Sequence, residues 1–79
     1  MTTVADIILL MKEADIARNK VDSLSPDQPL DEQGLDSYDR MTLLTELEER
    51  FNVELPNQIA NQLKTLDDIV AYLNRSEMN

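Results

Sequence analysis

The stretch from Gly34 to Met41 constrains the fold of this chain more than any other part of the sequence. Gly34 is the only glycine, and it stands where the chain must bend sharply, because glycine reaches positive φ without a Cβ clash. Ser37 follows at the predicted start of a helix, where a serine can cap the helix and still expose its hydroxyl to solvent. The stretch therefore predicts a turn that leads directly into a helix, with Ser37 at the junction.

The helix after this turn is predicted to run from Ser37 to Phe51. Its core-facing row has helical spacing and comprises Leu43, Leu47 and Phe51, with Leu44 beside them. A second row begins next to the serine and comprises Tyr38, Met41 and Thr45. This second row is either a surface for a partner or the partly exposed edge of the core. Asn52 follows the helix and suits a left-handed C-terminal turn.

A first helix is predicted from Thr3 to about Arg18, because Thr3 can cap it and Asp6 can complete a capping box. Apolar residues recur along it at the spacing of one helix face. They are Val4, Ile7, Ile8, Met11 and Ala14, with Leu10 and Ile16 beside this stripe.

Two more helices are predicted in the C-terminal part of the chain. A short one runs from Asn57 to about Leu63, after a proline that suits a helix start. The last runs from about Leu66 to Asn74, where Thr65 and Asp68 form a capping box. Residues 76–79 are expected to form a frayed tail.

A long connection from Val21 to Leu35 separates the first two main helices. It contains two prolines, which remove backbone donors and disfavour a long helix, while Leu24, Leu30 and Leu35 are spaced to pin it onto the core. No stretch shows the period-two alternation of a strand. We therefore expect an all-α fold, a small four-helix bundle of three main helices and one short helix, in a single domain over residues 1–79.

The charge of the chain excludes several kinds of partner. Lys and Arg together number 7 against 16 Asp and Glu, a net charge of −9, which argues against nucleic acid and anionic membrane surfaces. The acidic surface either attracts partners with basic patches or simply keeps the protein soluble. No apolar run approaches the length of a membrane span and no secretory signal is visible, so we expect a cytoplasmic protein.

The chain has no Cys and no His, which removes disulfides, the usual structural zinc site and the commonest general base. We therefore expect no catalytic residues, and any chemistry on Ser37 must be performed by another protein. Asp31, Glu32 and Asp36 do not follow the order of ligands in an EF-hand, so we expect no dedicated metal site.

Four segments together resemble the acyl carrier protein family, also called phosphopantetheine-binding carrier domains. They are Gly34–Ser37, the helix Met41–Phe51 with its end at Glu46–Phe51, Val53–Pro56 and Thr65–Ile69. The resemblance covers essentially the whole chain, at the length typical of a free-standing carrier. It implies that a phosphopantetheinyl transferase joins the 4'-phosphopantetheine of coenzyme A to the Ser37 oxygen.

The resemblance also implies what the modified chain does. An acyl- or aminoacyl-loading enzyme places a group on the thiol of the arm as a thioester, and a downstream synthase or transferase receives it. The carrier is expected to be a monomer, without catalytic activity of its own. In the family, acyl chains can also enter a space between the helices, for which the candidate residues are Leu47, Leu55, Leu63, Ile69 and Tyr72, although core packing explains these residues equally well.

Residues beside the serine are predicted to recognise partner enzymes. They are Asp36, Tyr38, Asp39, Arg40 and Met41. The chain departs from the family's Asp-Ser-Leu signature at Tyr38, adds a positive charge at Arg40, and has neutral residues where carriers of ordinary fatty-acid synthesis are usually acidic. Those neutral residues are Thr42, Asn57, Gln58 and Asn61. The resemblance implies a carrier of fatty-acid, polyketide or related lipid biosynthesis. These departures favour a specialised polyketide, modified-lipid or aminoacyl carrier over a housekeeping carrier of fatty-acid synthesis.

Two other functions stay open at this point. One is a free-standing peptidyl or aminoacyl carrier, which would use Ser37 in the same way. The other is an acidic helical interaction module that is never modified, in which Ser37 would be an ordinary N-cap. Loss of Ser37 would abolish carrier function and scarcely affect the interaction module.

Overall fold

The computed structural model describes residues 1–78, with side chains described through residue 75. Within this range the chain forms α-helices and short 3₁₀ turns and contains no strand. The α-helices are α1 (Val4–Glu13), α2 (Ser37–Phe51), α3 (Asn57–Ala60) and α4 (Leu66–Met78). The 3₁₀ turns, Val21–Ser23 and Asp31–Gln33, both lie in the connection between α1 and α2. The predicted all-α bundle with one short helix and a long first loop is confirmed.

The start of α1 follows its capping box. The Thr3 hydroxyl accepts a hydrogen bond from the Asp6 amide at 3.3 Å, and the Asp6 carboxylate accepts one from the Thr3 amide at 2.9 Å. Two backbone donors at the helix start are thereby satisfied within the chain. The face that reaches the core is centred on Ile7, Leu10 and Met11, which are buried.

The end of α1 was predicted too late, because the helix stops at Glu13 and not near Arg18. Asp15 adopts a left-handed conformation with φ of 61°. The amide of Ile16 then donates back to the Met11 carbonyl at 2.9 Å, as in a Schellman motif. This reversal turns the Ile16 side chain into the core, where only 2% of it is exposed.

The long connection is fastened by the side chain of Gln33. Its amide oxygen accepts from the Ser25 amide at 2.6 Å, and its amide nitrogen donates to the carbonyls of Ser25 and Gln28, both at 3.0 Å. Such bonds replace the regular pairing that a loop backbone lacks. The connection is therefore held in one conformation by its own side chains.

The connection is also tied to the C-terminal part of the chain. The Leu30 amide donates to the Lys64 carbonyl at 2.9 Å, and the Asp67 amide donates to the Pro26 carbonyl at 3.0 Å. Leu30 is buried, as are the Val21 and Leu35 side chains at either end of the connection. The predicted anchoring of this loop on the core is confirmed.

Helix α2 begins and ends where it was predicted. Leu43 and Leu47 are fully buried, and Phe51 is half-buried at the end of the same row. Asn52 ends the helix in the left-handed region, with φ of 53°, and its amide donates to the Glu48 carbonyl. Asparagine tolerates this conformation better than most residues, which explains the agreement.

An arginine joins the C-terminal ends of α2 and α1. Arg50 forms ion pairs with Glu13 of α1 and, at 3.4 Å, with Glu46 one turn earlier on α2. Hydrogen bonding with Glu13 raises the pKa of Arg50. All three side chains face solvent to a considerable degree, so these pairs add little to the stability of the fold.

Helix α3 is shorter than predicted, because it ends at Ala60 and does not continue to Leu63. The Gln62 and Leu63 amides bond to carbonyls three residues earlier, at 2.9 and 3.1 Å, which is the spacing of a tighter turn. This turn directs the Leu63 side chain into the core, where 5% of it is exposed.

Helix α4 starts as predicted, because Thr65 and Asp68 form a reciprocal capping box with bonds of 3.0 and 3.1 Å. It continues to Met78, beyond the predicted end near Asn74. A frayed tail was predicted for residues 76–79. The helix extends through residue 78, and Asn79 lies outside the described residues. Asn74 also pairs with the backbone of Thr2 through two bonds, of 2.7 and 3.0 Å, which fix the beginning of the described chain to α4.

One apolar cluster connects these elements. The candidate residues for a space between the helices belong to it: Leu47, Leu55, Leu63 and Ile69 are buried, and Tyr72 packs against them half-buried. Among residues 1–78, no helix combines the length and the apolar character that crossing a bilayer requires. The acidic residues of that range form no cluster suited to holding a metal ion.

Candidate functional site

Ser37 is the first residue of α2, and its side chain is exposed. The residue that caps the helix is Asp36, whose carboxylate accepts a hydrogen bond from the Asp39 amide at 2.8 Å. The interpretation of Ser37 as the N-cap was therefore wrong. Within the described residues the Ser37 hydroxyl makes no hydrogen bond, so it is available for reaction at the surface.

The turn before Ser37 holds it in place. Gly34 has φ of 98°, and a Cβ added to it would lie 2.7 Å from the Lys20 Nζ. That ammonium group donates to the Gly34 carbonyl at 2.9 Å. Leu35, the next residue, is buried, and its amide donates to the Leu30 carbonyl at 3.2 Å. A buried leucine and a fixed glycine thus position the exposed Asp36 and Ser37.

The second row of α2 lies at the surface and not at the edge of the core. Tyr38 is 75% exposed and Met41 is 65% exposed, and Thr45 is exposed one turn further on. Large apolar side chains with such exposure are common at surfaces that bind other proteins. The row begins directly beside Ser37.

Arg40 has a different environment from the one the sequence indicated. Its Nη2 donates to the carbonyls of Ala60, at 2.6 Å, and Leu63, at 3.2 Å, and the side chain is half-buried. These carbonyls belong to the end of α3 and the turn after it, where a helix leaves acceptors unsatisfied. Arg40 therefore connects α2 to α3, in addition to any part it has in recognition.

A groove of about 240 Å³ lies between α2 and α3 and opens beside Ser37. It is lined by Ser37, Arg40, Met41, Leu44, Asn57, Ala60 and Asn61. No acidic residue lines it, although the chain carries a net charge of −9. The groove offers apolar surface, amide groups and one guanidinium to any group attached to the Ser37 oxygen.

The groove was not predicted from the sequence, and neither were Asn57 and Asn61 as parts of the site. The signal for it was the neutral character of these two positions, which was interpreted as a difference in partner preference. The five residues predicted around the serine differ in how exposed their side chains are. Asp36, Tyr38 and Met41 are exposed, whereas Asp39 and Arg40 are half-buried.

A model of the family described as "Phosphopantetheine attachment site" matches residues 9–73. The match includes the whole of α2, α3 and the connection before Ser37. The exposed hydroxyl and the adjoining groove fit such an attachment, because a bulky arm needs an unobstructed oxygen and a surface to lie on.

Proteins similar to this chain share part of its length. The acyl carrier protein of Bdellovibrio bacteriovorus is 39% identical over 46 residues, which are 58% of this chain and 59% of that protein. That of Helicobacter hepaticus is 39% identical over 44 residues, 56% of this chain and 58% of that protein. The mitochondrial acyl carrier protein of Saccharomyces cerevisiae is 40% identical over 40 residues, 51% of this chain and 32% of that protein. The chain thus matches less than two thirds of the length of each of these relatives.

The family match is the broader of these findings, since it extends over most of the chain. The prosthetic group of the family is a covalently attached 4'-phosphopantetheine, which agrees with the predicted cofactor. The chain therefore belongs to the phosphopantetheine attachment site family, and its resemblance to acyl carrier proteins is confirmed.

Proposed function

We propose that this protein carries acyl intermediates as thioesters on a 4'-phosphopantetheine arm attached to the Ser37 oxygen. The observation that supports this most is the state of the Ser37 hydroxyl. It is exposed at the start of α2, while the neighbouring Asp36 performs the capping that a serine at this place would otherwise perform. A serine kept only for capping would not be free in this way.

The chemistry of attachment needs a second protein. The Ser37 oxygen bonds to the phosphorus that carries the pantetheine part of coenzyme A, the adenosine bisphosphate leaves, and the serine proton passes to a base. No His or Cys is present to accept that proton, and no hydrogen bond joins Asp36 to the Ser37 hydroxyl in the described chain. A phosphopantetheinyl transferase supplies the base. The attached arm supplies a thiol, which this chain lacks.

Attachment to a carrier has a simple physical advantage. A tethered group stays near its partner enzymes at a high effective concentration and is not released between steps. The partners in this proposal are the transferase, an acyl-loading enzyme and a downstream synthase or transferase. They approach the exposed side of α2, where Tyr38 and Met41 offer contact area and Asp36 lies beside the serine.

We place the protein among specialised carriers of fatty-acid, polyketide or related lipid biosynthesis, acting as a monomer in the cytoplasm. Support comes from the groove beside Ser37, because the residues that line it from α3 and the position after it are Asn57, Ala60 and Asn61, none of which is acidic. Enzymes that dock in the groove would meet apolar groups, amides and one guanidinium, and no carboxylate lines it. Such a surface selects different partners from one that displays a row of carboxylates.

The proposal is tested on protein isolated from the cells that produce it. Intact mass is measured before and after hydroxylamine, which cleaves thioesters and leaves the phosphodiester in place. We expect a mass above that of the bare chain. Hydroxylamine should remove part of the added mass, and the size of that part gives the mass of the cargo.

Ser25 provides a matched control, since it is an exposed serine of the connection whose hydroxyl makes no recorded bond. Ser25→Ala should keep the added mass and its hydroxylamine-sensitive part, and Ser37→Ala should lose both. Isolated protein with only the mass of the bare chain would favour the unmodified interaction module, and an aminoacyl mass would identify an aminoacyl carrier.

A further inference from the structure

Arg40 and Ser37 share the groove between α2 and α3. They stand about one turn apart on α2, and helical side chains lean toward the N-terminus of their helix, so Arg40 extends back over the turn that holds Ser37. Only one of its nitrogen atoms is occupied. Nη2 donates to the Ala60 and Leu63 carbonyls, while Nε and Nη1 have no protein acceptor in the described chain.

These remaining donors are not fully buried, because the described residues contain no buried side-chain nitrogen without a partner. Nε and Nη1 keep three N–H groups between them. Each edge of the planar guanidinium that presents two parallel N–H groups includes Nη2, so Nε and Nη1 each offer a single hydrogen bond. A guanidinium with a free N–H group suits a phosphate group, because the hydrogen bond between them is charge-assisted. Such a group and Ser37 line the same groove.

The charges nearby favour the same ligand. A phosphodiester on Ser37 adds a negative charge beside the carboxylates of Asp36 and Asp39, on a chain that already carries −9. The groove contributes Arg40 as its charged residue and no carboxylate that would compete for it. The other cation near this turn, Lys20, is hydrogen-bonded to the Gly34 carbonyl. Arg40 is thus the cation placed to offset the charge of the phosphodiester.

We propose that Arg40 binds the phosphodiester that joins the arm to Ser37 through a charge-assisted hydrogen bond from Nε, while Nη2 stays on the carbonyls of Ala60 and Leu63. This inference rests on the proposed attachment to Ser37. Arg40 is then a positioning residue with two consequences. It directs the phosphate end of the arm along the groove. Because it also bonds to the turn after α3, attachment of the arm strengthens the connection between α2 and that turn.

The test compares apo and arm-carrying protein in four forms: the natural chain, Arg40→Lys, Arg40→Gln and, as a control, Arg75→Gln, which removes an exposed charge from α4. Intact mass first establishes that each sample carries the arm on Ser37. The unfolding equilibrium constant is then measured in urea for each apo and each arm-carrying sample. In the natural chain and in Arg75→Gln, the arm should lower this constant about three- to tenfold. In Arg40→Gln it should not lower it, and in Arg40→Lys the effect should be smaller and more sensitive to salt.

A second measurement needs no variant and decides the matter if Arg40→Gln does not fold. The NMR signal of the Arg40 Nε–H should move downfield when the arm is attached to the natural chain, and the phosphorus signal of the arm should respond to salt. An unmoved Nε–H signal in protein shown to carry the arm would overturn the inference and leave the proposed function intact. Equal stabilisation by the arm in Arg40→Gln and the natural chain would overturn it in the same way. Failure of every form to accept the arm would overturn both proposals.

Discussion

At the scale of single residues, two neighbours at the start of α2 divide two tasks. Asp36 caps the helix through the Asp39 amide, and Ser37 keeps an exposed hydroxyl with no hydrogen bond in the described chain. The division explains how a reactive serine can stand at a helix start without giving its oxygen to the backbone.

Substitution of each neighbour should therefore have a different effect on the free energy of unfolding of the apo protein. Asp36→Ala removes the cap and should cost about 0.5–2 kcal/mol. Ser37→Ala removes an exposed hydroxyl without a partner and should change stability by less than about 0.5 kcal/mol. Urea unfolding followed by circular dichroism measures both values. A cost for Ser37→Ala as large as that for Asp36→Ala would show that the serine is the cap.

At the scale of elements, the hydrogen bonds of Arg40 to another element change the effect that we expect from its substitution. The sequence indicated Arg40 as a residue that recognises partner enzymes. In the structure the Arg40 guanidinium donates to two carbonyls at the end of α3, so the carboxylate of Arg40→Glu would lose both bonds and face two acceptors. Because hydrogen bonds to charged groups are among the stronger ones, we expect a loss of about 1.5–3 kcal/mol in the free energy of unfolding.

The matched control for this prediction is Arg75→Glu, an equal change of charge at an exposed position of α4. It should cost much less, because it breaks no recorded hydrogen bond. Both variants are compared with the natural chain in urea at the same ionic strength. Equal costs for the two variants would mean that net charge, and not the connection to α3, determines the effect.

The pairing of Asn74 with Thr2 leads to a prediction of the same kind. Asn74 both accepts from and donates to the backbone of Thr2, at 2.7 and 3.0 Å, and Thr2 is buried. Asn74→Ala should cost about 1–2 kcal/mol, because it leaves buried backbone groups with fewer partners. Hydrogen exchange at the Thr2 amide should become faster in this variant. Unchanged exchange would mean that other contacts hold this end of the chain.

The helices show which elements a sequence can define. Starts were predicted well where capping residues mark them, as Thr3 with Asp6 and Thr65 with Asp68 do. The ends of α1 and α3 were missed because tertiary contacts set them. Asp15 is left-handed although it is not glycine, so that Ile16 can reach the core.

The site shows the same limit. The turn at Gly34, the exposed Ser37 and the row with Tyr38 are local features, and the sequence predicted them. The groove and the partner of Arg40 depend on where the turn after Ala60 lies in space. The spacing of residues within α2 does not predict the groove or the partner of Arg40, because Arg40 and Ala60 stand on different elements.

At the scale of the whole molecule, the serine is presented by a fixed support. The connection before it is bonded to the C-terminal part of the chain through Leu30 and Lys64 and through Pro26 and Asp67. Buried leucines of the connection and of α2 join the same apolar cluster. The arrangement allows a large group to be attached at the surface while the core is left as it is.

The central claim is that one phosphopantetheine arm is attached, and that Ser37 carries it. The most direct measurement is the intact mass of folded apo protein before and after incubation with coenzyme A and a promiscuous phosphopantetheinyl transferase, followed by mapping of the modified peptide. We predict a single gain the size of phosphopantetheine, located on Ser37, retained in Ser25→Ala and absent from Ser37→Ala. No gain in folded protein, beside a known carrier that the same transferase modifies, would contradict the account, as would an equal gain in Ser37→Ala.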